Sequence, residues 1–211
     1  MIKNYLKEMN ESKYNIQNIS DFHRICIPHL GNIFFSDRNA KILDVGSGLG
    51  QCLISLKNSG WQNLYAIDID NFNKNFFKKQ NIIFKKFNAE TDKFLFENEF
   101  FDVVLSFTVI QFFYNPSNFM SEIYRVLKKE GIFILTTPDW QKQYKIFWRD
   151  PGHVHPYDKK GVTRLLRCYN FDPIFIKNFG VLKGFGKTNI WKLIKSLMFT
   201  GLDIICVTRK K

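Results

Sequence analysis

An acidic residue and three alternating glycines, Asp44, Gly46, Gly48 and Gly50, form the segment whose residue types most clearly suggest ligand chemistry. They end an apolar run, which is typical of a buried strand that turns sharply into a helix. Because glycine has no side chain, backbone N–H groups of this turn stay accessible to a ligand at the helix N-terminus. The pattern therefore predicts a nucleotide-type binding turn.

The residue types at two positions indicate which ligand such a turn would bind. A dinucleotide site requires the pattern G-x-G-x-x-G, but Gln51 stands where the third glycine would be. The carboxylate of Asp44 would repel a pyrophosphate, whereas it suits a ligand that carries an ammonium and a sulfonium group. S-adenosylmethionine has both groups, so we expect it as the cofactor, with S-adenosylhomocysteine as the product.

Several segments, in the same order, resemble motifs of the class I S-adenosylmethionine-dependent methyltransferases, in particular type 11/23-like enzymes that act on small molecules or glycans. The segments are residues 42–50 for the first motif, 65–70 for the second strand, 88–90 for the loop beside the adenine, 100–106 for the fourth strand, and 122–137 for the next helix and strand. The resemblance covers residues 40–138 and implies a methyltransferase.

The resemblance and the shape of the ligand together imply a set of cofactor contacts. Polar residues should follow the carboxyl ends of parallel strands, where open α/β sheets bind their ligands. The acidic residue that ends the second strand, Asp68, would accept hydrogen bonds from the ribose hydroxyls. The predicted cofactor-binding residues are Asp44, Gly46, Ser47, Gly48, Gly50, Asp68, Ile69, Asn88, Ala89 and Ser106.

Two positions depart from the family pattern. Asn88 stands where relatives commonly have Asp, and a neutral amide forms a weaker hydrogen bond to the adenine amino group. Phe112 occupies a position that is His in many relatives, so any chemistry that depends on that histidine must be done differently here.

A second group of reactive side chains lies in residues 139–157, which follow the fifth predicted strand. This segment resembles the D-P-x-H-V-x-x-Y/F loop of small-molecule and glycan-modifying methyltransferases. His153 and His155 are the candidate catalytic bases, because histidine titrates near neutral pH. Asp139, Arg149 and Tyr157 are candidate substrate contacts. A metal site at the H-x-H pair lacks supporting ligands nearby, so no metal is predicted.

The role of the two histidines stays open at this stage. Methyl transfer is an in-line displacement, and a base is required only when the acceptor arrives protonated. Two residues apart in an extended loop, the histidines would face opposite ways, so only one would point inward. The alternative is that both fix the loop through hydrogen bonds to the backbone.

Alternating strand and helix patterns predict the elements that position these residues. They indicate an α/β, doubly wound, Rossmann-like fold, with helices on both faces of a mostly parallel sheet. The resemblance adds seven strands, of which the last is antiparallel and lies beside the fifth. The predicted strands are 41–45, 64–68, 82–87, 102–107, 131–137, 173–179 and 202–208, and the predicted helices are 50–59, 72–80, 91–96, 117–129, 159–169 and 188–199.

Local end signals support several of these helices. Asn115 and Pro116 would start helix 117–129, and Lys128, Lys129 and Gly131 would close it. Asp158 would cap helix 159–169, and Asn170 would take the left-handed conformation at its end.

The chain is predicted to be a single domain over residues 1–211. It would consist of an N-terminal helical cap (1–39), a cofactor-binding half (40–138) and a substrate-binding half (139–211). Pro28 should break the helices of the cap, and Tyr14 and His23 are weak candidates for a lid over the site. Four isolated cysteines and a charged N-terminus favour a cytoplasmic protein with buried thiols.

The net charge of +12 would attract anionic partners, among them nucleic acids, phosphorylated metabolites and membranes. The lysines occur as scattered doublets, which favours an ordinary solvated surface. Helix 188–199 is basic and amphipathic. It suits either peripheral membrane contact or packing on the sheet, and we favour packing on the sheet.

Three functional classes are compatible with these patterns. The favoured one is S-adenosylmethionine-dependent O- or N-methylation of a small-molecule or sugar-containing acceptor, which could be anionic. A nucleic-acid methyltransferase is supported only by charge, since no Asn/Asp-Pro-Pro-Tyr/Phe tetrapeptide follows the fourth strand. The intact acid and glycine set argues against a noncatalytic binding subunit. The oligomeric state is undetermined.

Overall fold

The computed structural model describes residues 22–179 and 201–211, and its main feature is a seven-stranded sheet. The strands are β1 (Ile42–Val45), β2 (Leu64–Asp68), β3 (Ile83–Lys86), β4 (Phe101–Phe107), β5 (Leu127–Pro138), β6 (Phe171–Phe179) and β7 (Asp203–Lys210). The helices are α1 (Ile27–Phe34), α2 (Gln51–Asn58), α3 (Lys74–Lys79), α4 (Ser117–Val126), α5 (Trp140–Gln143) and α6 (Lys159–Cys168). A π-helical turn (Phe22–Cys26) and two 3₁₀ turns (Ile110–Phe112 and Phe147–Arg149) complete them.

The strand order is β3-β2-β1-β4-β5-β7-β6. Strands β1 to β5 pair in parallel, while β7 lies antiparallel between β5 and β6. The order reverses between β1 and β4, and a doubly wound sheet binds its ligand at this point, outside the carboxyl ends of the strands. The predicted fold class is confirmed, including the antiparallel last strand beside the fifth.

Two apolar layers lie between the sheet and its helices, one on each face. They bury the central strands on both sides. All four residues of β1 are buried, as expected for the middle of a parallel sheet. One core layer joins the sheet to α4 and α6, and the other joins it to α1 and α2. These layers fix the strand ends that carry the candidate site.

The predicted helix 91–96 is wrong. Side chains of α4 hold this segment in an irregular conformation: Glu122 accepts a hydrogen bond from the N–H of Phe94, and the guanidinium of Arg125 donates to the carbonyls of Phe94 and Phe96. The backbone groups are therefore satisfied by tertiary contacts instead of a helical ladder.

Helix 117–129 is three residues shorter than predicted, because α4 ends at Val126 and β5 begins at Leu127. Leu127 is buried and pairs with Phe101 of β4, and Lys128 forms an ion pair with Asp102 at 2.6 Å. The start of α4 agrees with the prediction. Asn115 Oδ1 accepts a hydrogen bond from the N–H of Ser117, the first residue of the helix.

Two smaller predictions also need correction. Pro28 does not break a helix but lies in the first turn of α1, directly after the π-helical turn, where a proline costs no hydrogen bond. Cys168 is exposed, and Cys26 is partly exposed, whereas the other two thiols are buried. The prediction that Asp158 caps α6 is confirmed by a bond from the N–H of Gly161 at 2.6 Å.

Some predictions fall on residues 1–21 and 180–200, outside the described part of the chain. They concern Tyr14, most of the N-terminal cap and helix 188–199. Within the described ranges, none of the helices combines the length and the apolar character that crossing a membrane requires.

Candidate functional site

The glycine turn between β1 and α2 has the open backbone that its sequence predicts. Gly46, Gly48 and Gly50 all have positive φ angles of 76°, 49° and 76°, which favour glycine. A Cβ atom on Gly46 would lie 2.3 Å from Val109 Cγ2, but one on Gly48 would meet nothing within 4 Å. The turn is therefore packed on one side and open at its middle glycine.

Asp68 lies directly against this turn. Its Oδ2 accepts a hydrogen bond from the N–H of Gly48 at 2.8 Å, and its Oδ1 accepts one from Asp70 at 3.0 Å. Each carboxylate oxygen can accept a second bond. The carboxylate thus supports the glycine turn and keeps capacity for two further donors, such as adjacent hydroxyls.

Burial makes the two acids of the site harder to ionise. It raises the pKa of Asp44 from 3.8 to about 8, and the nearby Asp68 carboxylate adds to the shift. Burial also raises the pKa of Asp68, although the N–H groups of Asp70 and Gly48 partly offset this effect. Asp44 therefore holds its proton in the free protein at neutral pH, and a bound cation would favour its ionised form.

Two buried polar atoms beside the turn have no hydrogen-bond partner among the described residues. They are Oγ of Ser47 and Nε2 of Gln51, whose side chains are 7% and 8% exposed. Buried polar groups are normally hydrogen-bonded. Ser47, Gln51 and the open Gly48 therefore fit a polar ligand such as the methionine portion of S-adenosylmethionine. Gln51 was not among the predicted binding residues, although it directly follows the third glycine of the turn.

The other predicted cofactor contacts differ in how free their side chains are. One is exposed to solvent, and the others are buried or hydrogen-bonded within the protein. Ile69 is 43% exposed just after β2, as an apolar ring contact would require. The Asn88 side chain instead accepts a hydrogen bond from the N–H of Glu90, which closes its own loop, and Ala89 is buried. The Ser106 hydroxyl donates to the carbonyl of Val45 at 3.1 Å, so it links β4 to β1.

His153 is held by its own loop. Its Nδ1 lies 2.9 Å from the carbonyl oxygen of Phe147, and its Nε2 lies 3.8 Å from Oδ2 of Asp150. Its ring packs against the rings of Phe147 and Phe112. These contacts agree with the loop-fixing alternative for His153.

His155 and Tyr157 form a separate pair. Their rings stack with centroids 4.6 Å apart. The Tyr157 hydroxyl is buried without a hydrogen-bond partner among the described residues, and burial raises its pKa. Gln111, for which the sequence predicted no role, anchors this loop. Its buried carbonyl accepts hydrogen bonds from the N–H groups of Val154 and His155.

The remaining predicted substrate contacts are not brought together. Asp139 is buried, and its carboxylate accepts hydrogen bonds from the N–H of Gln141 and from the Asn178 amide. Arg149 is exposed on a 3₁₀ turn. Asp139 therefore caps α5 and fastens β6, a structural use that the sequence did not reveal.

His23, considered for a lid, lies in the π-helical turn beside the end of β4. Its ring meets Phe107 edge-on at 6.4 Å. Burial lowers its pKa from 6.5 to about 4, so it is neutral at physiological pH.

The comparisons with known proteins agree with this geometry. Residues 43–135 match the methyltransferase domain family. A comparison with curated proteins gives no match. Among solved structures, a protein described as a methyltransferase, in complex with the Haloferax volcanii Trm112 methyltransferase activator, superposes with a TM-score of 0.77, 13% identity, and coverage of 99% of this chain and 97% of that one.

Two further structures have the same fold. One is a protein of Thermotoga maritima described as an S-adenosylmethionine-dependent methyltransferase and a possible histamine N-methyltransferase, with a TM-score of 0.70, 18% identity and coverage of 98% of both chains. The other is an S-adenosylmethionine-dependent methyltransferase of Mesorhizobium loti, with a TM-score of 0.67, 13% identity, and coverage of 87% of this chain and 96% of that one.

Proposed function

We propose that the chain, of which residues 43–135 match the methyltransferase domain family, is a class I S-adenosylmethionine-dependent methyltransferase that methylates a hydroxyl or amine of a small-molecule or glycan acceptor. The acceptor would lie beside the carboxyl ends of β4 and β5, next to the loop that carries His155 and Tyr157. This placement follows the rule for ligand sites in open α/β sheets.

The observation that carries the proposal is the unpartnered hydroxyl of Tyr157. Tyr157 is 5% exposed and belongs to the core, yet its oxygen finds no partner among the described residues. The backbone of Tyr157 also forms an isolated parallel β-bridge with Asp139, which directly follows β5. An acceptor oxygen or nitrogen would satisfy this hydroxyl, because buried polar groups need a hydrogen-bond partner. A discrete polar group of a small molecule meets that requirement.

The cofactor contacts follow from the turn and its acids. When bound, S-adenosylmethionine supplies an electrophilic methyl group on a sulfonium. Asp44, the amides of the glycine turn, Ser47 and Gln51 would bind its methionine portion. Asp68 would accept from the ribose hydroxyls, with Ile69, Asn88 and Ala89 near the adenine.

His155 is the better placed of the two candidate bases. The ring nitrogens of His153 face Phe147 and Asp150, whereas the ring of His155 stacks on Tyr157. His155 would accept the proton of a hydroxyl or ammonium acceptor as methyl transfer proceeds. An acceptor that arrives unprotonated would need only positioning and exclusion of water.

Release of S-adenosylhomocysteine tests this proposal. The protein would be incubated with S-adenosylmethionine and either a panel of hydroxyl- and amine-containing metabolites and sugars or total RNA. We expect release that depends on one class of small molecule. Release that depends on RNA alone would contradict the proposal.

Tyr157→Phe gives the residue-level control for the same assay. We expect a higher KM for the acceptor and unchanged affinity for S-adenosylhomocysteine, because only the acceptor's hydrogen bond is lost. An unchanged KM would refute the role assigned to Tyr157.

A further inference from the structure

A basic groove runs along α6 at the edge of the sheet, away from the glycine turn. It is open to solvent and has a volume of about 620 Å³. Its basic side chains all come from α6, and β6 contributes an apolar residue. The residues that line it include Lys159, Lys160, Arg164, Arg167 and Ile176.

The four cations of this groove have no acidic partner. No ion pair joins any of them to a carboxylate within the described ranges of the chain. The carboxylate nearest to them in sequence, Asp158, is engaged by the N–H of Gly161 and the amide of Gln141. The groove therefore presents positive charge that residues 22–179 and 201–211 leave uncompensated.

The placement of Lys159 and Lys160 opposes the stability of the helix. Lys159 and Lys160 lie in the first turn of α6, where the helix macrodipole disfavours positive charge. Lys160 and Arg164 are four residues apart, and Arg164 and Arg167 are three apart, so like charges are neighbours on one face. Arg167 lies in the last turn, where the macrodipole favours a cation. Helix stability gives no reason for the two lysines of the first turn or for the like-charged neighbours, whereas binding of an anion would.

The extent of the basic groove favours a short anion over a long polymer. The run from Lys159 to Arg167 has nine residues of helix, and its ends are about 12 Å apart at 1.5 Å of rise per residue. Carboxylates flank this basic run in the sequence: Asp158 precedes the helix, and the exposed Asp172 follows it. A long polyanion would need the positive surface to continue beyond these residues. Two arginines also suit the planar, bidentate recognition of phosphate.

The groove begins beside the proposed acceptor site. Tyr157 and Asp158 directly precede α6, and Gln141 of α5 donates a hydrogen bond to Asp158 at 2.9 Å. Tyr157 itself bridges to Asp139 at the end of β5. A molecule that contacts Tyr157 could therefore extend into the groove.

We propose that the basic groove along α6 binds a diphosphate group of the methyl acceptor, so that the substrate is a diphosphate-bearing small molecule such as a nucleoside diphosphate derivative. This inference rests on the proposed function. The acceptor's reactive group lies at Tyr157, and its diphosphate lies between Lys160, Arg164 and Arg167. The arginines act as anchors for the acceptor and take no part in proton transfer.

Titration calorimetry with inorganic pyrophosphate tests the groove without knowledge of the acceptor. We expect binding at one site in the wild type and a loss of about tenfold or more in Arg164→Ala/Arg167→Ala, because two charge-assisted contacts disappear. The variant should fold, since Ala is a strong helix former and both arginines are exposed.

Lys78→Ala/Lys79→Ala is the matched control. It removes the same charge from exposed positions at the end of α3, outside the groove. Its affinity for pyrophosphate should stay within about twofold of the wild type, because distant exposed charges are screened. No binding by the wild type, or an equal loss in both variants, would overturn the proposal. Tighter binding of a short oligouridylate, lost in the groove variant, would overturn it in favour of RNA.

Titration of the same proteins with S-adenosylhomocysteine separates the two proposals. Cofactor binding without pyrophosphate binding would overturn the groove alone. Absence of cofactor binding would refute the proposed function instead.

Discussion

At the scale of single residues, Asp44 shows how a binding site conflicts with stability. The unfolded chain ionises this carboxyl near its ordinary pKa of 3.8, but burial and the Asp68 carboxylate raise the value to about 8 in the folded protein. Between these pH values the folded state binds more protons than the unfolded state, so this group lowers stability as pH rises. A neutral residue would avoid that loss but would bind a cation poorly.

Asp44→Asn should therefore be more stable and less able to bind cofactor. We expect its Tm at pH 7 to exceed that of the wild type by about 4 °C or more, with the difference closing towards about pH 4. Thermal unfolding across this pH range measures the effect, and calorimetry should show weaker binding of S-adenosylmethionine. A lower Tm at pH 7 would contradict the burial argument.

His153 and His155 should separate into a structural and a catalytic residue. With the acceptor found in the metabolite screen, His155→Ala should lower kcat by about 100-fold. It should lower Tm less than His153→Ala does, because it loses only the ring contact to Tyr157. His153→Ala should lower Tm, because it loses the contacts to Phe147 and Phe112. Steady-state kinetics and thermal unfolding check both variants, and an unchanged kcat in His155→Ala would remove it as a base.

At the scale of elements, α4 organises a segment that has no regular structure of its own. The guanidinium of Arg125 donates to both oxygens of Glu122, to the carbonyls of Phe94 and Phe96, and to Asn98. The carboxylate of Glu122 in turn holds the N–H of Phe94. Two side chains of α4 thus hold the segment before β4 against the helix.

Arg125→Ala should lower the free energy of unfolding by about 2–4 kcal/mol, because Glu122 and two carbonyls lose their partner. Urea unfolding measures this change. Lys129→Ala, an exposed position beyond α4, is the control and should change stability by less than about 0.5 kcal/mol. Equal effects of the two substitutions would show that the Arg125 network contributes little.

The elements that the sequence predicted well are those with a strong local signal. Strand β2 has the predicted bounds because its apolar run ends at Asp68, and α6 has the predicted start because Asp158 supplies a cap. The segment 91–96 could not be predicted, since the side chains that shape it belong to a helix about 30 residues later in the chain, as in the Arg125 to Phe94 contact.

At the scale of the whole molecule, the sheet order determines which residues meet. Parallel strands place their carboxyl ends at one edge, so the approach of Asp68 to the glycine turn could be predicted from the sequence. The direction of each side chain could not. Ser106 lies near the carboxyl end of β4 and Asp139 directly follows β5, as expected. The Ser106 hydroxyl, however, donates to the carbonyl of Val45, and the Asp139 carboxylate accepts from the Asn178 amide.

The distribution of the net charge of +12 also becomes visible only in the folded molecule. Most basic residues are scattered in sequence, but α6 gathers four of them beside the proposed acceptor site. Their separation into Lys159-Lys160, Arg164 and Arg167 hides the cluster in the sequence, and the helix brings them together. Sequence spacing alone favoured an ordinary solvated surface.

Titration of the wild-type protein and of Asp68→Ala with S-adenosylhomocysteine tests the central claim most directly, with NAD as the competing ligand and thermal unfolding as the check on folding. We predict that the wild type binds S-adenosylhomocysteine at one site and does not bind NAD. The variant should lose about tenfold or more in affinity, because the ribose hydroxyls lose a charged acceptor. Equal affinity in a folded variant, or binding of NAD in place of S-adenosylhomocysteine, would contradict the account.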